Sequence, residues 1–168
     1  MKRTCAEVRK ARPPLAGGCA QKIGVNEMKE NYDSLKLENQ LCFPLYAASR
    51  EILRKYTPFL KDLNLTYTQY IVMMVMWEEK SLTVGDLGKK LYLDTGTLSP
   101  LLKSMEEKGL LVRSRKKEDE RVVMVSITPE GESLRQKALS VPEEMGKCIN
   151  LTPEEAKVLY GILYKLLG

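Results

Sequence analysis

The chain has 168 residues, 43% hydrophobic and 29% charged, with a formal net charge of +5, a balance that suits one ordinary globular domain with or without a tail. Histidine is absent, which excludes Ser-His-Asp and Cys-His catalysis and any imidazole-ligated metal; no cofactor is expected. No apolar run is long enough to cross a bilayer, and the basic start Met1-Lys2-Arg3-Thr4 has no apolar stretch behind it, so no membrane partner or signal peptide is expected and the cytoplasm is the expected location.

Residues 1–31 show no helical or strand period. With Pro13-Pro14, Gly17-Gly18 and scattered bases, they read as a disordered or non-native N-terminal extension, with Met28 a candidate natural start. Residues 1–27 also hold a net +4 of the charge. Bulk charge therefore says little about DNA, and only a local patch can.

From Leu41 the period is helical. Leu41, Leu45, Ala48, Ile52, Tyr56, Phe59 and Leu63 form an apolar stripe on one long helix over about 39–63. Pro44 is tolerated only near a helix start, which puts the helix proper at about Asn39–Cys42. A second helix, Tyr67 to Glu79 with Thr66 as N-cap, is apolar nearly all round and belongs in the core. Thr83 caps Val84 to Leu91. Asp94 or Thr95 caps a helix reaching Lys108, where Gly109 stops it.

The period then switches to two. Leu111 to Arg115 and Arg121 to Ile127 read as strands around the polar turn Lys116 to Glu120. Thr128-Pro129-Glu130 opens a helix running to about Gly146. A last helix follows Thr152-Pro153-Glu154-Glu155 and uses Val158, Leu159, Ile162, Leu163, Leu166 and Leu167.

Four helices, a hairpin and two more helices make a mainly α chain of α+β winged helix-turn-helix class. The DNA-binding module spans about 66–128 within a domain of 32–168. The helices over about 39–63 and 129–168 carry more apolar stripe than so small a module can bury, so a second copy is expected and the chain is a homodimer. Thr95, Thr97, Ser99 and Lys103 fall on or near the exposed face of the second helix of the pair, where short hydroxyls can reach base edges. Bases gather nearby: Lys103, Lys108, Arg113, Arg115, Lys116, Lys117 and Arg121. Arg121, beside the hairpin tip, suits a narrow minor groove, with Asp119 holding it as a bidentate pair. A charged hairpin is most often simply solvated. Helix-turn-helix spacing followed at once by a basic wing favours double-stranded operator DNA.

The cysteines are Cys5, Cys19, Cys42 and Cys148. With no CxxC pair a zinc site is not expected, and a reducing cytosol would leave free thiols, inert or redox-sensing. If the first helix starts near Cys42, its unpaired N–H groups favour an anionic sulfur there. Tyr46, one turn on, can reach it.

Four segments carry a family resemblance. Leu37-Glu38-Asn39-Gln40-Leu41-Cys42-Phe43, Leu65-Thr66-Tyr67-Thr68-Gln69-Tyr70, the run from Leu91 to Lys103 and Asp119-Glu120-Arg121 resemble the organic-hydroperoxide-sensing branch of the MarR family. The likeness runs from about Met28 to the C-terminus. It implies a MarR-like dimer held by its N- and C-terminal helices, and a repressor that leaves its operator when an organic hydroperoxide oxidises one cysteine, here Cys42. It implies tyrosines hydrogen-bonded to that sulfur, matching Tyr46, Tyr56 and Tyr67. Some members carry a second cysteine that bridges to the sensor between subunits, a role matching Cys148. The alternative is a structural Cys148 and capture of Cys42 by a low-molecular-weight thiol. Cys5 and Cys19 read as incidental.

Two rival readings stand beside this one. A ligand-gated regulator of the broader MarR type would bind phenolic or drug-like molecules near Met73, Met74 and Met76, although that spacing suits core packing better. A thiol peroxidase is opposed by the lack of a thioredoxin-like βαβ pattern, so the chain is read as a regulator and not an enzyme.

Overall fold

The computed structural model describes residues 32–116 and 119–168. The expectations for residues 1–31 and for Lys117 lie outside them. The chain divides into two compact units, one up to Glu51 and one from Ile52 onward.

In the first unit, two 3-10 turns (Tyr32–Leu35 and Leu37–Asn39) lead into helix α1, Cys42–Lys61. Asn39 Nδ2 donates to the Asp33 carbonyl at 2.7 Å and Gln40 Nε2 to that of Lys36 at 3.2 Å, so LENQ side chains tie the lead-in together. Pro44 is the third residue of α1, where a backbone N–H would have no intrahelical partner. The late start expected from Pro44 is what the structure has.

The second unit contains the end of α1, then α2 (Tyr67–Glu79), β1 (Ser81–Thr83), α3 (Val84–Leu91), α4 (Thr95–Glu107), β2 (Leu111–Lys116), β3 (Asp119–Ile127), α5 (Pro129–Ala138), α6 (Ser140–Cys148) and α7 (Pro153–Leu167). The sheet is antiparallel in the order β1-β3-β2, with Leu82 opposite Val125 and Arg113 on the other flank of Val125. Strand β1 was not expected; its three residues are too short to show a period.

Helix ends follow local chemistry. The hydroxyls of Thr66, Thr83, Thr128 and Thr152 and the carboxylate of Asp94 each accept from the backbone N–H three residues on, filling donors that a helix start leaves empty. Helices α1, α3 and α4 stop alike: Asn64, Tyr92 and Gly109 turn left-handed (φ 52°, 54° and 73°). The next N–H in each case reaches back to the carbonyl of Leu60, Gly88 or Met105 at 3.0 Å, the six-to-one bond of a Schellman ending. For this reason α1 ends at Lys61, two residues before the expected Leu63.

The helix expected from Thr128 to Gly146 is divided into α5 and α6. Pro142 has no N–H to give the Ala138 carbonyl. Leu139 at the joint keeps helical angles (φ −56°, ψ −34°).

The core gathers Leu60, Tyr70, Val72, Met73, Met76, Leu87, Leu98, Leu102, Met105, Leu111, Val125 and Met145. Met73 and Met76 are fully buried there while Met74 is exposed, as core packing rather than a ligand pocket requires. Helix α7 differs from the rest: none of its residues is buried, and Val158, Leu159, Ile162, Leu163, Leu166 and Leu167 all face outward. In water such a face calls for a partner.

Candidate nucleic-acid interface and thiol site

Helices α3 and α4 form the helix-turn-helix. Its turn is tight because residue 88 is glycine: a Cβ there would lie 2.6 Å from the Leu93 carbonyl oxygen and 3.2 Å from Leu98 Cδ1. Leu98, Leu102 and Met105 bury the inner face of α4, and Thr95, Thr97, Ser99 and Lys103 are exposed.

The hydroxyls on that face are partly engaged. Asp94 accepts from both the N–H and the Oγ1 of Thr97 at 2.8 Å, and these bonds hold its carboxyl below the usual range. Ser99 Oγ donates to the Thr95 carbonyl at 2.7 Å. Thr97 and Ser99 thus keep accepting capacity, while their protons are used inside the helix.

The basic cluster divides in two. Arg113 is clamped to Glu106 of α4: its Nε and a terminal nitrogen lie 3.0 and 2.7 Å from Oε2, and its backbone N–H donates to Oε1 at 2.9 Å. These bonds lower the Glu106 carboxyl, the side-chain ones first, and pin the base of the wing to α4. Lys108 donates to the Asn64 carbonyl and to Gln69 Oε1. These two cations, counted with the patch from sequence, are structural ties.

Lys103, Arg115, Lys116 and Arg121 are exposed. Arg115 reaches across the hairpin to the Glu120 carbonyl at 3.1 Å. The expected bidentate Asp119–Arg121 pair is replaced by a looser arrangement. Asp119 Oδ1 accepts the Arg121 backbone N–H at 3.0 Å, Nε stands 3.7 Å away, and the Arg121 side chain is 95% exposed. A side chain held so loosely is free to extend. Between the start of α3, helix α4 and the wing lies a cleft of about 370 Å³ lined by Thr95, Ser99, Arg113, Arg121 and Val122, among others.

Cys42 is the first residue of α1, an exposed free thiol. Tyr46 stands one turn further, with its hydroxyl accepting from an Arg50 terminal nitrogen at 2.9 Å and the guanidinium 5.6 Å from the ring centroid.

In the second unit Tyr56 and Tyr67 pack ring to ring at 4.8 Å, with Tyr70 6.0 Å from Tyr56. Burial raises all three phenols above their usual range, so they remain O–H donors at neutral pH. Cys148 is buried at the end of α6, and its carbonyl accepts from Lys55 Nζ at 2.6 Å. Its sulfur is disulfide-bonded. Among the described residues no cluster of three metal-ligating side chains occurs, and no helix is long and apolar enough to cross a membrane.

The comparisons with known proteins agree with this geometry. A family model described as transcriptional regulator SarA/Rot matches residues 54–138. The organic hydroperoxide resistance transcriptional regulator of Bacillus subtilis (strain 168) is 47% identical over 140 residues, 83% of this chain and 95% of that protein. AbfR of Staphylococcus epidermidis is 33% identical, with a TM-score of 0.62 over 80% of this chain and 93% of that one. AbfR structures are described as reduced and bound to DNA, overoxidised and bound to DNA, and disulfide formed. The Staphylococcus aureus MepR–DNA complex is 25% identical, with a TM-score of 0.68 over 76% of this chain and 96% of MepR. The chain belongs to the MarR family of winged-helix transcriptional regulators, on its organic hydroperoxide resistance branch.

Proposed function

We propose that the chain is a cytoplasmic homodimeric repressor that holds operator DNA while Cys42 is reduced and lets go when an organic hydroperoxide oxidises it. The observation that carries this is the exposed free thiol at the first residue of α1, in a chain nearly half identical to an organic hydroperoxide resistance regulator.

The chemistry needs no cofactor. The Cys42 thiolate attacks a peroxide oxygen and the O–O bond breaks. The carbon-bound oxygen leaves and takes up a proton as the alcohol, and the terminal oxygen stays on sulfur as a sulfenic acid. A second thiol then displaces water to form a disulfide. A low-molecular-weight thiol suffices for that step. A bridge to Cys148 of a second copy is the alternative.

Tyrosine support divides by position. Tyr46 is four residues beyond Cys42, the spacing that brings side chains together on a helix. Tyr56 is fourteen residues along α1, nearly four turns. A Tyr56 hydroxyl that meets the thiol therefore comes from the partner copy, and Tyr67, packed on Tyr56, comes with it. This arrangement would place the sensor at the dimer contact, where oxidation can alter the spacing of two recognition helices that must meet half-sites one DNA turn apart.

On DNA, Thr95, Thr97, Ser99 and Lys103 of α4 face the major groove. Arg115, Lys116 and Arg121 of the wing reach the backbone and minor groove, with Asp119 orienting the last. The test is a gel shift on a duplex selected in vitro by the reduced protein, with wild type, Cys42→Ser and Cys148→Ser, each with and without cumene hydroperoxide and with small thiols withheld or added. Wild type should be released and Cys42→Ser retained. Release of Cys42→Ser would sink the redox reading. Release of Cys148→Ser only when a small thiol is added would show that Cys148 closes the bridge in its absence.

A further inference from the structure

Gln69 is the one buried polar side chain among the described residues, 4% exposed. Its Oε1 accepts from the Thr66 N–H at 3.1 Å and from Lys108 Nζ at 3.0 Å, and its Nε2 donates to Ser104 Oγ at 3.4 Å. Lys108 Nζ also donates to the carbonyl of Asn64 at 2.6 Å, the left-handed residue that ends α1. The end of α1, the start of α2 and the last turn of α4 are thus joined through two side chains.

Stability alone would be served as well by apolar residues here, because buried polar groups are costly to desolvate. A fully satisfied hub adds direction, since hydrogen bonds lose strength when one element slides on another, whereas apolar packing adapts. The backbone of α4 lies against α3 and β2. This hub is its directional tie to the α1–α2 corner.

We propose that Gln69 and Lys108 are positioning residues for operator binding, fixing the pitch of α4 against the α1–α2 corner so that movement of α1 is delivered to α4 and not lost in slip. The second half of this statement rests on the redox reading above; the first does not. Gln69 is buried and cannot touch DNA, and the ammonium of Lys108 is committed to two internal acceptors.

The test uses the full chain as Gln69→Met, Lys108→Met and Lys108→Arg, with the selected duplex. Kd is measured over a range of salt, reduced and after cumene hydroperoxide, at a temperature where circular dichroism shows each variant folded. Both methionine variants should bind the duplex about tenfold more weakly when reduced, as for loss of a charged hydrogen bond, with the wild-type salt slope. Their ratio of oxidised to reduced Kd should fall toward one, and Lys108→Arg should recover affinity and ratio.

Wild-type affinity and release in both methionine variants would overturn the proposal, leaving the hub a stability element. A salt slope reduced by about one in Lys108→Met alone would mark a phosphate contact instead and overturn it too. Should peroxide fail to release wild type, the redox reading falls by itself. The positioning role is then decided by reduced affinity, and unchanged values in both variants refute it.

Discussion

Replacing Gly88 by alanine tests the helix-turn-helix directly. At an open helical position this change gains about 1 kcal/mol, because alanine is the better helix former. Here the added methyl meets the Leu93 carbonyl oxygen at 2.6 Å and Leu98 Cδ1 at 3.2 Å. The first of these is backbone, held by the Leu93 N–H to Gly88 carbonyl bond, so it cannot turn aside as a side chain would. Overpacking of this kind costs about 1–3 kcal/mol. Set against the propensity gain, the net loss should be up to about 2 kcal/mol.

Gly85, three residues earlier on α3, is the internal control, since a Cβ there meets only Thr83 Oγ1 at 3.8 Å. Urea unfolding at one fixed concentration of reduced protein should place Gly88→Ala below wild type and Gly85→Ala at or above it. Operator affinity of folded Gly88→Ala should also drop, because relief of the clash changes the angle between α3 and α4. Gly88→Ala as stable as Gly85→Ala would refute the close approach on which this argument stands.

Other substitutions probe separate features. Leu98→Ala empties a fully buried site and should cost about 2–5 kcal/mol in the same assay; a loss within the scatter of surface variants would contradict that burial. Arg113 holds the Glu106 carboxyl below its usual range, and a depressed folded value gives stability that is complete above the unfolded pKa and lost as pH falls through the folded one. Urea midpoints at about pH 6 and about pH 3 should thus differ less for Glu106→Gln than for wild type, and equal differences would show the pair to be inert. Leu166→Glu, on the outward face of α7, should leave the fold of one copy intact and shift sedimentation toward monomer; an unchanged dimer would place the interface elsewhere. Lys103→Ala should weaken binding to all duplexes alike and lower the salt slope by about one, and an unaltered slope would remove Lys103 from the phosphate contacts.

What the sequence made legible was local. Caps at Thr66, Thr83, Asp94, Thr128 and Thr152 depend on a residue and its neighbour three positions on, and the start of α1 depends on Pro44. Each of these has its cause within a few residues of its effect. Strand β1 was illegible because its pairing partner, β3, lies more than forty residues away and three residues carry no period. The division at Leu139 has a local signal in Pro142, masked by the helical apolar spacing of Leu134, Ala138, Val141 and Met145 that runs through it.

At the site, the exposed face of α4 could be read from its buried one. The fates of the cations could not. Arg113, Lys108 and Lys103 look alike in sequence; an acid and a buried amide, brought close by folding, engage the first two. The role of Gln69 was hidden for the same reason, since three positions after Thr66 it reads simply as part of a cap.

The bare apolar face of α7 makes the protein a measure of its own abundance. A dimer that gains its stability by covering such a face gives that stability back on dilution, by about 1.4 kcal/mol per mole of dimer for each tenfold fall in concentration. When copies are few, occupancy of the operator should thus decline faster than in proportion to protein number, because dimers dissociate as well as become scarce. Repression by this chain would then have a threshold in its own amount, independent of any oxidant and set by the residues from Val158 to Leu167.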